Sequence, residues 1–334
     1  MSDLRKIFTD GNLVDVNVKM WTGERTLQPE DLGLNGKQIS KAFKLGKKAL
    51  IPNDVIVDFR RIDQKARGIL IKYSFPFVFG GSRFVPKKTF VKFAEEFEEV
   101  RVRFEALVNS LIQNYDKYRI DMRKYYVEAA KSAHMRMVSI RKIEIDENKF
   151  INDFLERVDT FYPPIESLRA RYSLDYAVFQ VALPDLTQAS YDDLMEEGEK
   201  IQMLQQAKQR ELQQRVSKFI DDTLGGMREK ASTAFAHLEG LIRDHRKITK
   251  ASFRAVSNMI DDYVALDIIG DADFIHNMLH FKKKHLQHLD KNVLRLQPNF
   301  AQFICDELRK LVVMAEDRAA IQALIVAYKQ KIDI

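Results

Sequence analysis

Apolar residues recur along this chain with two periods, and the helical one dominates. From Phe90 the residues Phe93, Phe97, Val100, Phe104, Leu107 and Leu111 follow at alternating gaps of three and four. Tyr115, Tyr118, Met122, Tyr125 and Ala129 continue the series, with one pair of consecutive four-residue gaps around Leu111. Such spacing lays a single apolar stripe along one side of a helix, and the extra residue near Leu111 offsets it slightly from a strict heptad. Lys92, Glu95, Glu96, Glu98, Glu99, Arg101 and Arg103 fill the opposite side. Pro86 suits the first turn, where its missing N–H costs nothing. Neither Pro nor Gly occurs from Lys87 to Tyr162, so the pattern predicts one helix from Pro86 to about Ala133. A helix of roughly 50 residues is about 75 Å long and needs another long helix to cover its stripe. Phe90, Phe93, Phe97, Phe104, Leu111 and Tyr118 mark that seam, to be covered within the chain or by a second copy.

The period-two signal is shorter. Val14, Val16 and Val18 alternate with polar residues, and Tyr172–Leu183 is rich in aromatic and branched residues before Pro184. Both read as strands that pair with each other. Between them, Gln38–Leu45 reads as helical with Gly46 as its stop. Asn53 or Asp54 caps a helix carrying Val55, Phe59, Ile62, Ala66 and Ile69. The apolar connection Tyr73–Gly81 should be packed down. Ile143 and Ile145 suggest a short strand. Asp146 or Asn148 caps a helix with Phe150, Phe154, Val158 and Phe161, stopped by Pro163-Pro164. A second long helical run starts near Ser190, with Gly225-Gly226 marking either a kink or a turn. Three helices follow: one on Phe253, Val256, Ile260 and Tyr263, one capped by Asp271 or Asp273, and one from Pro298 through Tyr328.

The expected fold is mainly α, with a long antiparallel helical rod resembling a coiled coil, a small α+β head and a helical C-terminal region. The segments are 1–85 (head), 86–147 (first rod helix), 148–186 (helix and strand returning to the head), 187–249 (second long run) and 250–334 (C-terminal helices). In the simplest arrangement the second run pairs antiparallel with the first.

Composition narrows the function classes. The 334 residues are 46% hydrophobic and 31% charged, which suits a folded helical protein. One cysteine, Cys305, excludes an intramolecular disulfide and points to a reducing, cytoplasmic setting. No signal-like start and no run of 18 apolar residues occurs, so no membrane span is expected. The net charge of +6 is uneven: residues 1–89 hold 17 Lys and Arg against 9 Asp and Glu. Lys37, Lys41, Lys44, Lys47 and Lys48, followed by Arg60 and Arg61, form a basic patch for an acidic partner or nucleic acid. A solvated face is the plainer reading, because stacking aromatics are not interleaved.

Chemistry-bearing patterns are weak. His276, His280, His285 and His288 cluster, but Asn277 stands where a zinc protease needs Glu, and Lys282, Lys283 and Lys284 would repel a cation. Gly33–Gln38 echoes a phosphate loop with the glycines too close and Gln38 in place of the magnesium-binding hydroxyl. Cys305 reads as a small buried hydrophobe. No cofactor, metal or catalytic set is expected.

Three stretches carry a family likeness: Trp21–Leu34 (WTGERTLQPEDLGL), Ser82–Phe93 (SRFVPKKTFVKF) and Arg171–Pro184 (RYSLDYAVFQVALP). Together they resemble an uncharacterised family of phage and bacterial proteins often encoded beside MoxR-type AAA+ ATPases and von Willebrand factor A domain proteins. The likeness implies a partner role near such an ATPase and brings no catalytic residues. The expected function is therefore non-enzymatic: a self-associating protein-interaction component. The alternative is a nucleic-acid-binding protein using the basic head.

Overall fold

A computed structural model describes residues 10–32, 46–77, 81–141, 146–179, 195–244, 248–288, 294 and 297–332. The protein is mainly helical with a small antiparallel sheet. The predicted helix Gln38–Leu45, the Gly33–Gln38 loop and the Ile143–Ile145 strand lie outside the described residues, as do Lys37, Lys41 and Lys44.

The chain divides into two compact units. One comprises Met1–Asp15, Leu70–Ala94 and Val178–Ile334, and the other Val16–Ile69 and Glu95–Ala177. The strands are β1 (Gly11–Lys19), β2 (Glu24–Thr26), β3 (Lys47–Ala49), β4 (Phe75–Pro76), β5 (Arg83–Pro86) and β6 (Ser173–Phe179). The main sheet has the order β4-β5-β1-β6, so the two strands expected to pair are neighbours.

In the first unit β1 runs antiparallel to β5, with Gly11 opposite Pro86 and Val14 opposite Arg83. Gly11 is required there: a Cβ would stand 2.5 Å from both the Phe84 ring and the Val85 carbonyl oxygen. The described part of the apolar connection, residues 73–77, is packed down as expected, with Tyr73, Phe75 and Phe77 buried. Phe75, Phe77 and Phe84 all set their rings against Phe219, which lies on α6 (Met195–Arg243). Helix α6 continues through Gly225-Gly226, so the chain does not turn back there. A Cβ at either glycine would meet nothing within 4 Å, so the pair serves no close approach. Burial of Leu224, Met227 and Ala231 on one side offsets the weak helix preference of the two glycines.

Helix α6 packs chiefly on α9 (Pro298–Ala315) and on α7 (Lys250–Leu266), with α8 (Ala272–Phe281) and α10 (Arg318–Lys331) joining the same core. Phe253, Val256, Ile260 and Tyr263 are all buried, as their spacing predicts. Thr249 and Ser252 form a reciprocal cap on α7. The predicted last helix is two helices. Asp317 accepts from the Ala319 and Ala320 amides and starts α10 anew. Asp271 precedes α8 but its side chain does not cap it. It instead takes the buried Arg228 guanidinium, with Nε–Oδ2 2.7 Å and Nη2–Oδ1 2.8 Å.

In the second unit the seam folds inward. It belongs to two helices, α2 (Lys87–Gln113) and α3 (Tyr115–Arg141), where one was expected. The break falls at Asn114, beside the double four-residue step. Asn114 donates its side-chain amide to the Ser110 carbonyl at 2.8 Å, beside its own backbone N–H, which reaches the same oxygen at 3.1 Å. Phe104 packs edge-on against Phe59 of α1 (Asn53–Lys72) and tilted on Tyr172, and Phe97 meets Tyr176. Helix α3 packs on α4 (Glu147–Asp159), which Asp146 caps through the Lys149 amide. A short helix, α5 (Ile165–Leu168), follows Pro163-Pro164.

Tyrosine hydroxyls tie the loops of this unit to its helices. Tyr115 donates to the Pro163 carbonyl at 2.8 Å, Tyr162 to Leu50 at 2.7 Å and Tyr172 to Trp21 at 3.1 Å, while Tyr126 donates to Ala49. Burial pushes Tyr115 and Tyr126 up to about 12, so both remain donors throughout the ordinary pH range.

Candidate interaction surface

The seam is intramolecular core as far as Tyr115; farther along α3 the buried side shifts to Tyr126, Ala130 and Ala133, so Tyr125 and Ala129, expected on the seam, are exposed. Phe93, Phe97, Phe104 and Leu111 are buried, and Phe90 and Tyr118 are half-buried. Attention passes to the opposite face of the same helices. With 3.6 residues per turn, Glu95, Glu98 and Val102 lie across α2 from Phe97, Phe104 and Leu111. Glu95 and Glu98 are exposed, and Val102 is 60% exposed. On α3, Tyr126, Ala130 and Ala133 are buried, Tyr126 and Ala130 in one cluster with Phe154, Leu155 and Val158. The other side of α3 presents Lys117, Lys124 and Lys131 at seven-residue spacing, continued by Met135 and Val138. Ile120 and Met135 are 62% and 68% exposed, and Tyr125 and Val138 are also open to solvent. Large apolar side chains left in water at regular helical positions mark a surface suited to contact.

This face is charged as well as apolar. Lys124 pairs with Asp121 at 2.8 Å, Lys131 with Glu128 at 3.0 Å, and Arg101 with Glu98 at 2.9 Å. All are exposed pairs three residues apart on one helix, of a kind worth well under about 1 kcal/mol each. A groove of about 440 Å³ runs beside Glu98, Val102 and Glu105, with Tyr172 and Asp175 on its far wall. Arg169 crosses to Glu105 and Asn109 there. The charged stripe hides these apolar positions from a pattern reading, which sees only the stronger seam. Met135 and Val102 were discoverable as hydrophobes standing on the solvated side.

Where it is described, the basic patch is largely offset by carboxylates, three for four cations. Lys47 and Arg60 both reach Glu24, at 2.9 and 2.8 Å. Lys48 is buried on Asp31 at 2.7 Å, and Arg61 pairs with Asp58 at 2.9 Å. Burial raises the Glu24 pKa, but the hydrogen bonds from Lys47 and Arg60 outweigh it and hold the carboxyl below its ordinary value.

The histidines do not converge. His276, His280 and His288 are exposed, whereas His285 is 7% exposed, between the rings of Phe281 and Phe303. Among the described residues no group of three or more His, Cys, Asp or Glu is placed to hold a metal. His285 lies on the π-helical turn Lys282–Leu286, and its Nε2 is buried without a hydrogen-bond partner. Burial, and then Lys284, lower its pKa against the pull of Glu307. A neutral buried imidazole supports the folded state above the unfolded value of about 6.5, and that support is lost as pH falls through the lower folded pKa. The melting temperature is therefore expected to drop between pH 7.5 and 5.5 by less in His285→Leu than in the parent protein. Equal drops would show that His285 is not the group responsible.

Cys305 is buried, its thiol aimed at the Glu239 carbonyl at 3.9 Å and its pKa raised by burial, the opposite of what a nucleophile needs. Among the described residues no helix is long and apolar enough to cross a membrane.

No curated protein and no solved structure is found to match the chain. A family model described as protein of unknown function (DUF3150) matches residues 10–266. That span covers most of the 334 residues and takes in both faces of α2 and α3, and the chain belongs to this family.

Proposed function

We propose that the protein is a non-enzymatic interaction component that self-associates through the outward face of α2 and α3. The observation that carries this reading is the line of exposed apolar side chains, Val102, Ile120, Met135 and Val138, on helices whose other side is already committed to the core. Exposed hydrophobes at helical spacing lose little on ordering and gain from burial against a second helix, at about 25 cal/mol per Å² covered. Pairing of identical chains is the commonest way such a face is covered. The two helices act here as one docking surface, in place of a single long rod.

The family resemblance adds an external partner to the proposal: a MoxR-type AAA+ ATPase, with the protein acting as adaptor, substrate or co-assembling component in a phage or bacterial cytoplasm. The ion pairs of Lys47, Lys48, Arg60 and Arg61, four cations on the three carboxylates of Glu24, Asp31 and Asp58, leave little free positive charge there and support a protein partner over nucleic acid. The test is the mass of the full chain in solution by light scattering during size-exclusion chromatography. A mass above that of one chain, with ultraviolet absorbance typical of protein alone, supports the reading. A large species carrying nucleic-acid absorbance and dispersing with salt would overturn it in favour of nucleic-acid binding.

A further inference from the structure

Helices α2 and α3, whose outward faces are proposed above as one contact surface, carry opposite net charge on either side of Asn114. From Glu95 to Gln113, α2 holds five glutamates against Arg101 and Arg103. Helix α3 holds seven Lys and Arg against three Asp and Glu. Glu98 and Lys131 stand at nearly equal separations on either side of Asn114, and so do Glu105 and Lys124.

We propose that two copies of this chain pair antiparallel through these faces, across a two-fold axis beside Asn114, with Glu98 of each copy on Lys131 of the other. The proposal rests on the self-association reading above. In antiparallel helices, contacting residues have positions that sum to a constant. The register that sets Glu98 on Lys131 also sets Glu105 on Lys124. Acid meets base at both steps, and two-fold symmetry repeats each contact. Pairing α3 with α3 in parallel would instead line Lys117, Lys124 and Lys131 against their own copies, which is repulsive.

The present partners of these groups do not oppose the arrangement. Glu98 with Arg101, Lys131 with Glu128 and Lys124 with Asp121 are exposed pairs within one helix, weak enough to be shared. Glu105 keeps Arg169 and accepts Lys124 as a second cation.

The test uses charge reversal on the full chain. Glu98→Lys places lysine against Lys131 twice in each dimer, and Lys131→Glu places glutamate against Glu98 twice. Each variant alone is expected to dimerise roughly tenfold or more weakly than the parent in sedimentation equilibrium. An equimolar mixture of the two restores both contacts in a mixed dimer, and its dissociation constant is expected to return to within about threefold of the parent. Both sites are exposed, so circular dichroism should show both variants folded. A parent dimer indifferent to either reversal, or singles that weaken but are not rescued by mixing, would overturn this register while leaving self-association standing. A parent chain that stays monomeric would remove both.

Discussion

Replacing Asp271 by Leu is expected to destabilise the first unit by about 3–5 kcal/mol, the cost of leaving one member of a buried ion pair uncompensated. Arg228 and Asp271 are 4% and 1% exposed. The guanidinium bonds both carboxylate oxygens, also donates to the Met314 carbonyl, and lies 4.1 Å from the Phe274 ring centre. The Tyr263 hydroxyl donates to the same carboxylate at 2.5 Å. Burial, and then this bond, drive the Tyr263 pKa far up, so the hydroxyl stays a donor. Loss of Asp271 thus strands three buried donors, Arg228 Nε and Nη2 and the Tyr263 hydroxyl, as well as a charge. The double replacement Arg228→Met with Asp271→Leu removes the charge and is expected to recover most of the loss. Denaturant midpoints of the parent, both singles and the double would show it. A single variant within about 1 kcal/mol of the parent would mean that the pair does not brace α6 against α8.

Phe219→Ala is expected to cost a similar amount, about 3–5 kcal/mol. Its ring centre lies 5.0 Å from that of Phe77, 5.6 Å from Phe84 and 6.4 Å from Phe75. Truncation opens a cavity that three other rings cannot all fill, because they are held by the β4–β5 hairpin and by the close approach at Gly11. Val313→Ala, at a position 69% exposed, is the matching control and should change stability by no more than about 0.5 kcal/mol. Equal midpoints for the two variants would contradict the core assigned here.

Much of this architecture is legible in the residue pattern, wherever one side of an element is buried and the other is wet. The spacing of Val55, Phe59, Ala66 and Ile69 locates α1, and the branched and aromatic run after Tyr172 locates β6 beside β1. Local competition for backbone groups is harder to see. The start of α10 depends on the Asp317 cap, a residue that is ordinary within a helical pattern until the bond is drawn. The break at Asn114 has no marker in the pattern beyond the double four-residue step. Long-range pairing is harder still: nothing near Lys48 indicates that Asp31 will receive it in a buried bond. The same reason separates the two faces of α2 and α3. The inward seam announces itself through aromatic residues at strict spacing. The outward face scatters Val102, Ile120, Met135 and Val138 among charged residues, and it stands out only once the inward face is known to be occupied.

The tests of the core concern how the chain holds together, whereas the outward face concerns what it does. The direct measurement is the mass of the purified full chain by light scattering, taken at low and at high salt. The contact face of α2 and α3 predicts a defined species of about twice 38.9 kDa at low salt, shifting toward one chain as salt screens the glutamate–lysine contacts. A mass of 38.9 kDa at both salts would contradict it.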